Sequence, residues 1–220
     1  MRTSFSHKLA NLALAALLVL ATSCGYRGIR GNGIIKTESR SLPPFAIVDA
    51  SGAFEIEWHT GTPAVAVTVD ENLLQYIRTS VVERTLQIAD TERIWTRHKI
   101  KVSVTSPTLT GVKLSGACQF AGAQLAGDKF YIESSGATRV NANGNVTELV
   151  ASMTGASRLD AESLQTRVAE LSLTGASRAD IAVAEKLQVA ITGAGKVTYS
   201  GNPTSIQKDI TGAGKISRRD

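Results

Sequence analysis

One short phrase returns through the C-terminal half of the chain, and it restricts the fold more than any other feature. Leu114-Ser115-Gly116-Ala117, Ser134-Ser135-Gly136-Ala137, Met153-Thr154-Gly155-Ala156, Leu173-Thr174-Gly175-Ala176, Ile191-Thr192-Gly193-Ala194 and Ile210-Thr211-Gly212-Ala213 share one template. Their glycines lie 20, 19, 20, 18 and 19 residues apart. A near-constant period of this size means that each copy is one supersecondary unit, unable to bury its apolar face alone and therefore stacked on its neighbours.

Aligned on the glycine, the copies separate by parity. Positions two and four before it are mainly apolar, as in Leu173 and Leu171 or Ile191 and Val189, and Phe120, Val140, Leu159, Ala179, Val197 and Ile216 follow four after it. Three after it stand Gln119, Arg139, Arg158, Arg178, Lys196 and Lys215. Period-two alternation belongs to strands with one buried face, and a glycine between two such runs marks a bend or a close backbone approach. At roughly 3.3 Å per strand residue the coil perimeter is about 60 Å, enough for two or three short sides around a narrow core.

The expected fold is therefore all-β, a parallel β-solenoid over 107–220 with a β-rich N-terminal segment over 45–106. The general crossover preference favours a right-handed winding. Leucine-rich repeats share the period, but their L-x-x-L-x-L pattern is missing. Ala161–Leu171 is rich in helix formers and offers a competing helical reading. The alternation of Ala169, Leu171 and Leu173 with Glu170, Ser172 and Thr174 favours strand for its end.

The N-terminus speaks of export. Met1–Lys8 holds two positive residues, and the uncharged apolar run from Leu9 to Ala21 is short for a bilayer span of about 20 residues. It reads as a signal peptide over 1–23. Ala21-Thr22-Ser23-Cys24 resembles the lipobox of bacterial lipoproteins, which makes Cys24 the expected lipidation site and 24–44 a lipidated cysteine and tether. An acyl chain contributes roughly 0.8 kcal/mol per buried CH₂ and anchors without a spanning helix. Gly25 after the cysteine, where Asp commonly signals inner-membrane retention in such lipoproteins, favours the outer membrane by the same resemblance.

The full chain carries 24 basic and 19 acidic residues. Arg2 and Lys8 fall in the export segment, which leaves a mild excess and no arginine-rich run. That balance gives no reason to expect a nucleic-acid partner. The only other cysteine is Cys118, so lipidation of Cys24 leaves no disulfide. Cys118 occupies the place filled elsewhere by Thr138, Ser157 and Ser177, which marks it as a small buried rung residue.

Before the repeats, Ala50-Ser51-Gly52-Ala53 is an isolated early copy of the phrase. Asp70–Ile77 reads as a short helix with Asp70 as N-cap. The ordered blocks VDASGAFEIEWHTG, VTVDENLLQYIRT, LQIAD and KIKVSVTSPTLTGVKLSGA, then the recurring TGAS and TGAGK, resemble the putative auto-transporter adhesin head GIN-domain family over about Phe45 to Asp220. The resemblance implies a β-rich, solenoid-like fold and a surface location, and supplies no catalytic residues.

The sequence offers two groups of candidate site residues and six structural glycines, Gly116, Gly136, Gly155, Gly175, Gly193 and Gly212. Arg139, Arg158, Arg178, Lys196 and Lys215, flanked by Asp160 and Asp180, form an expected surface ladder. Trp58 and Trp95, each near a histidine, form a candidate aromatic patch able to stack on a sugar ring. No metal or cofactor motif is present, and Gly193-Ala194-Gly195-Lys196 lacks the spacing of a phosphate loop. The expected function is a lipid-anchored envelope adhesion or interaction module without catalysis, with a glycan or another envelope protein as partner. The alternative is a carbohydrate-active β-helix enzyme using Asp160 and Asp180 as acid/base carboxylates.

Overall fold

The computed structural model describes residues 28–219, so the expected signal peptide 1–23 and the lipidation site Cys24 lie outside the described residues. The repeats wind into a parallel β-solenoid, and the glycines align in one column. Gly116 pairs with Gly136, and the register continues through Gly155, Gly175 and Gly193 to Gly212. The early copy joins it, because Gly52 is the partner of Gly116.

Each rung bends at its glycine for a reason visible in the next one. Gly175 has φ +94°, and a Cβ there would lie 2.7 Å from the carbonyl oxygen of Gly155. That oxygen accepts the N–H of Ala176 at 2.8 Å, so the bend and the link between rungs share one atom. The ladders then break at a second corner, between Gly122 and Leu125 and between Asn141 and Gly144, and again before Lys129. The result is a three-sided coil. Inside it lie Phe120, Val140, Leu159, Ala179 and Val197, all buried, as the parity of the sequence requires. Cys118, Thr138, Ser157 and Ser177 form the buried small column beside them, and desolvation raises the pKa of the Cys118 thiol.

Ala161–Leu171, the segment with helical composition, lies entirely within the strand Arg158–Gly175. Ladder pairing on both sides outweighs a propensity difference of about half a kcal/mol per residue. The helix expected after Asp70 is a 3-10 turn, Glu71–Tyr76, and Asp70 does not cap it. Its buried carboxylate instead accepts the Gly33 N–H at 2.6 Å and the Thr96 hydroxyl.

The N-terminal segment enters the stack out of sequence order. Ile47–Gly52 and Phe54–Thr60 lie directly beneath the first repeat rung, and Thr85–Asp90 with Ile100–Ser106 lie beneath them. The chain therefore builds one rung, descends to build the one below, and returns above both. Antiparallel strands close this lower end: Ile77–Val82 on Thr85–Asp90, Ala64–Asp70 on Ile100–Ser106, and Ile35–Arg40 on Ala64–Asp70. The boundary at 106/107 is thus a change of routing within one continuous sheet. Part of the span expected as a tether, 24–44, is paired strand. Ile29–Arg30 pairs with Ile94–Trp95, and Ile35–Arg40 is part of the closure.

Candidate functional surface

The basic row is a real column. Arg139, Arg158, Arg178, Lys196 and Lys215 are partners on successive rungs, and all five residues are exposed. At about 4.8 Å per rung, five cations span about 19 Å along the stack. Arg158 meets Asp180 at 3.7 Å. Among the described residues no ion pair engages Arg139, Arg178, Lys196 or Lys215. Like charges at such spacing repel, and solvent screening alone offsets that repulsion along most of the column.

Asp160 and Asp180 also stack in register. Asp180 faces Arg158 and, at 3.3 Å, Arg219, while Glu162 forms a further ion pair with Arg219. Asp180 thus serves as a counter-charge to the arginines around it, whereas Asp160 forms no ion pair among the described residues. No grouping of three or more metal-ligating side chains occurs among the described residues.

The two tryptophans take different roles, and the expected patch does not form as such. Trp58 is core: it is 2% exposed, and its indole N–H donates to Ser106 Oγ at 2.8 Å. Trp95 is 36% exposed on the loop between Asp90 and Ile100, where the Arg30 guanidinium sits 4.7 Å from its ring centroid. Period-two parity could have made the distinction. Trp58 lies on the inward row with Phe54 and Ile56, whereas Trp95 belongs to no repeat row. His98 lines the same cleft as Trp95, a space of about 380 Å³ bounded also by Phe54, Glu55, Asp90 and Gln119.

With this geometry in place, comparison with known proteins identifies the class. Residues 44–203 match the family described as putative auto-transporter adhesin, head GIN domain, and the chain belongs to that family. The family's description points to a protein of the cell surface or envelope. Solved structures share the fold. A putative adhesin from Bacteroides fragilis superposes with a TM-score of 0.72 at 21% identity, covering 87% of this chain and 100% of that one. A putative lipid-binding protein from Parabacteroides distasonis gives 0.58 at 22%, over 88% and 100%. A putative adhesin from Parabacteroides merdae gives 0.55 at 20%, over 88% and 99%. No curated protein matches the chain.

Proposed function

We propose that this protein is a lipid-anchored adhesion module of the bacterial envelope, held at the outer membrane through Cys24, that grips anionic surface polymers along its cation column without catalysis. The column carries the reading. Four of its five cations lack an ion-pair partner among the described residues, and rigid backbone ladders fix their spacing. A linear polyanion lying along the stack would meet one cation per rung with little loss of protein conformational freedom, which is the condition for affinity from many weak contacts. The lipobox-like sequence before Cys24 supports the anchor, and family membership supports the setting.

The test has two arms. Retention on an immobilised polyuronate should exceed retention on a neutral glucan, fall as salt rises, and drop several-fold in Arg139→Ala/Arg178→Ala/Lys196→Ala. Equal retention on both polymers, or no change in the triple variant, would sink the column. Separately, Cys24→Ala should move the protein from the membrane fraction to the soluble one. Depolymerase activity abolished in Asp160→Ala/Asp180→Ala would establish the catalytic alternative instead.

A further inference from the structure

From Gly116 upward the stack turns this corner with two residues between strands, and at Gly52 with one; the lowest rung departs from both. Three positions separate Gly52 from Glu55, whereas eleven separate their rung partners, the Asp90 position and Lys101. The added length is a loop that stands over the corner and encloses the cleft of about 380 Å³. Insertions of this kind, carried by a rigid scaffold, are where binding groups collect.

The loop is fastened rather than loose. Ile29 N–H donates to Arg93 O at 2.8 Å and Gly31 N–H to Trp95 O at 2.9 Å, so a two-residue strand pins the indole's backbone from outside. Thr96 donates to the Asp70 carboxylate, and Thr96 Oγ1 in turn accepts the His98 N–H at 3.0 Å. Arg30 lies over the Trp95 ring. A large aromatic surface is thereby held in place while remaining accessible, and little ordering is left for a ligand to impose.

The cleft's acidic wall is incompletely paired. Lys99 Nζ donates to Glu55 Oε1 at 2.9 Å, but Glu55 Oε2 is buried and has no hydrogen-bond partner. Leaving a charged acceptor in that condition is unfavourable, and such atoms call for an explanation. Asp90 presents a second carboxylate on the same wall. A ligand suited to this wall brings hydroxyl donors for the exposed carboxylate and an apolar face for the indole. Lys99 in the wall and Arg30 on the indole offset the two carboxylates, which favours a neutral ligand over a cation.

We propose that this cleft binds a neutral pyranose unit of a glycan, with the Trp95 indole against its C–H face and Glu55 and Asp90 accepting from its hydroxyls. The cleft lies on the same row as the cations, since Glu55, Gln119 and Arg139 are successive rung partners, but its chemistry is distinct. Salt strips a polyanion from the column and leaves a neutral sugar in place, so the two readings fail separately.

The experiment titrates the full chain with cellobiose, N,N′-diacetylchitobiose, mannobiose and lactose, read by indole emission and saturation-transfer NMR at low and high salt. At least one disaccharide should saturate with a salt-independent affinity. Trp95→Ala should weaken it by about tenfold. Asp90→Asn should weaken it less, and Trp95→Phe should retain most of it. Trp58 emission, arising from the core, reports that each variant is folded. No saturation by any member at millimolar concentration, undiminished binding in folded Trp95→Ala, or saturation by putrescine in place of the sugars would overturn the proposal.

Discussion

The two ends of the solenoid face the same hazard and meet it differently. Each end of a parallel stack exposes a row of unpaired backbone groups and an open core, a template for another chain. At the lower end, antiparallel strands turn back over the last rung and bury Val65, Val67, Val69, Leu73 and Ile77. At the upper end, Ser205–Gly212 pairs with only Lys186–Gly193 and is exposed along its whole length. That rung also lies beyond the residues that match the family, which stop at 203. The lower end is sealed by structure and the upper end by composition: over the buried Val189 of the rung below stands Lys208. Repeat proteins need polar end units for solubility, and this chain uses a folded cap at one end and a charged rung at the other.

The largest test of the contrast is a glycine substitution at two heights. Gly175 and Gly212 share a positive φ, +94° and +109°, and at each an added Cβ would lie 2.7 Å from the carbonyl oxygen of the glycine below. Gly175→Val should destabilise the whole stack by about 3–5 kcal/mol, combining backbone strain with a clash that cannot relax without breaking rungs on both sides. Gly212→Val should fray only the top rung and leave the main transition nearly unchanged. Circular-dichroism melts of the pair decide it. Equal losses would mean that the upper rung is as integral as the middle.

Arg40 tests the lower closure. Its guanidinium donates to Ile77 O at 2.6 Å, to Thr79 Oγ1 at 3.1 Å and to Leu74 O at 3.0 Å, joining the outermost strand to the 3-10 turn and to Ile77–Val82. Arg40→Ala would leave those carbonyls without their donors and should cost about 1–3 kcal/mol. Arg40→Lys should restore little, because an ammonium cannot reach three divergent acceptors from one plane. Urea denaturation measures both variants; a wild-type midpoint for Arg40→Ala would show the seal to be incidental.

Much of this was legible beforehand. The glycine column, the inward apolar rows and the outward cation row follow from a period near 19 and from side-chain alternation, because stacked identical rungs convert sequence offset directly into position. Gly52 could be seen as a copy of the phrase, but not that it continues the column. Rung order was illegible for a physical reason. Thr85–Asp90 and Ile100–Ser106 carry ordinary strand alternation, and nothing local records whether a strand pairs above or below its predecessor. The same limit hid the cleft: Trp95 and Glu55 are 40 residues apart, and only the descending rung brings them to one wall. Asp before a polar turn is the usual signal of a helix cap, whereas the partners of Asp70, Gly33 and Thr96, are distant in sequence.

Asp70 also makes the lower end sensitive to acid. Burial works against its charge, but the Thr96 hydroxyl and the Gly33 N–H prevail and hold its pKa below the ordinary 3.8. A carboxyl whose pKa is depressed by folding contributes stability that is complete above the unfolded value and is lost as pH falls through the folded one. The 28–33 segment and the Trp95 loop should therefore loosen below about pH 4, with Trp95 emission shifting before the global transition. Asp70→Asn should abolish that early shift and leave the loop looser at neutral pH. An acid titration showing one coincident transition in wild type would separate Asp70 from the seal.

The smallest effect on stability is expected at Lys208, where the consequence is association instead. On the rung below, Leu187, Val189 and Ile191 point into the core, and their partners Ile206, Lys208 and Ile210 form the stack's upper surface. Ile206 and Ile210 are 39% and 41% exposed, so an apolar row is interrupted at its centre by one ammonium. If two copies met through this edge, each Lys208 would be carried out of water toward a closing apolar interface, a cost that rises as the contact tightens. Lys208→Ile removes that cost and makes the row from Ile206 to Ile210 continuously apolar without altering any rung beneath it. Its melting transition at low concentration should stay within about 0.5 kcal/mol of wild type. Sedimentation velocity should nevertheless show concentration-dependent dimers or larger species, and Lys208→Glu should remain as monodisperse as wild type. A monomeric Lys208→Ile at high concentration would mean that the upper end is protected by something other than charge, and the contrast between the two ends would lose its chemical basis.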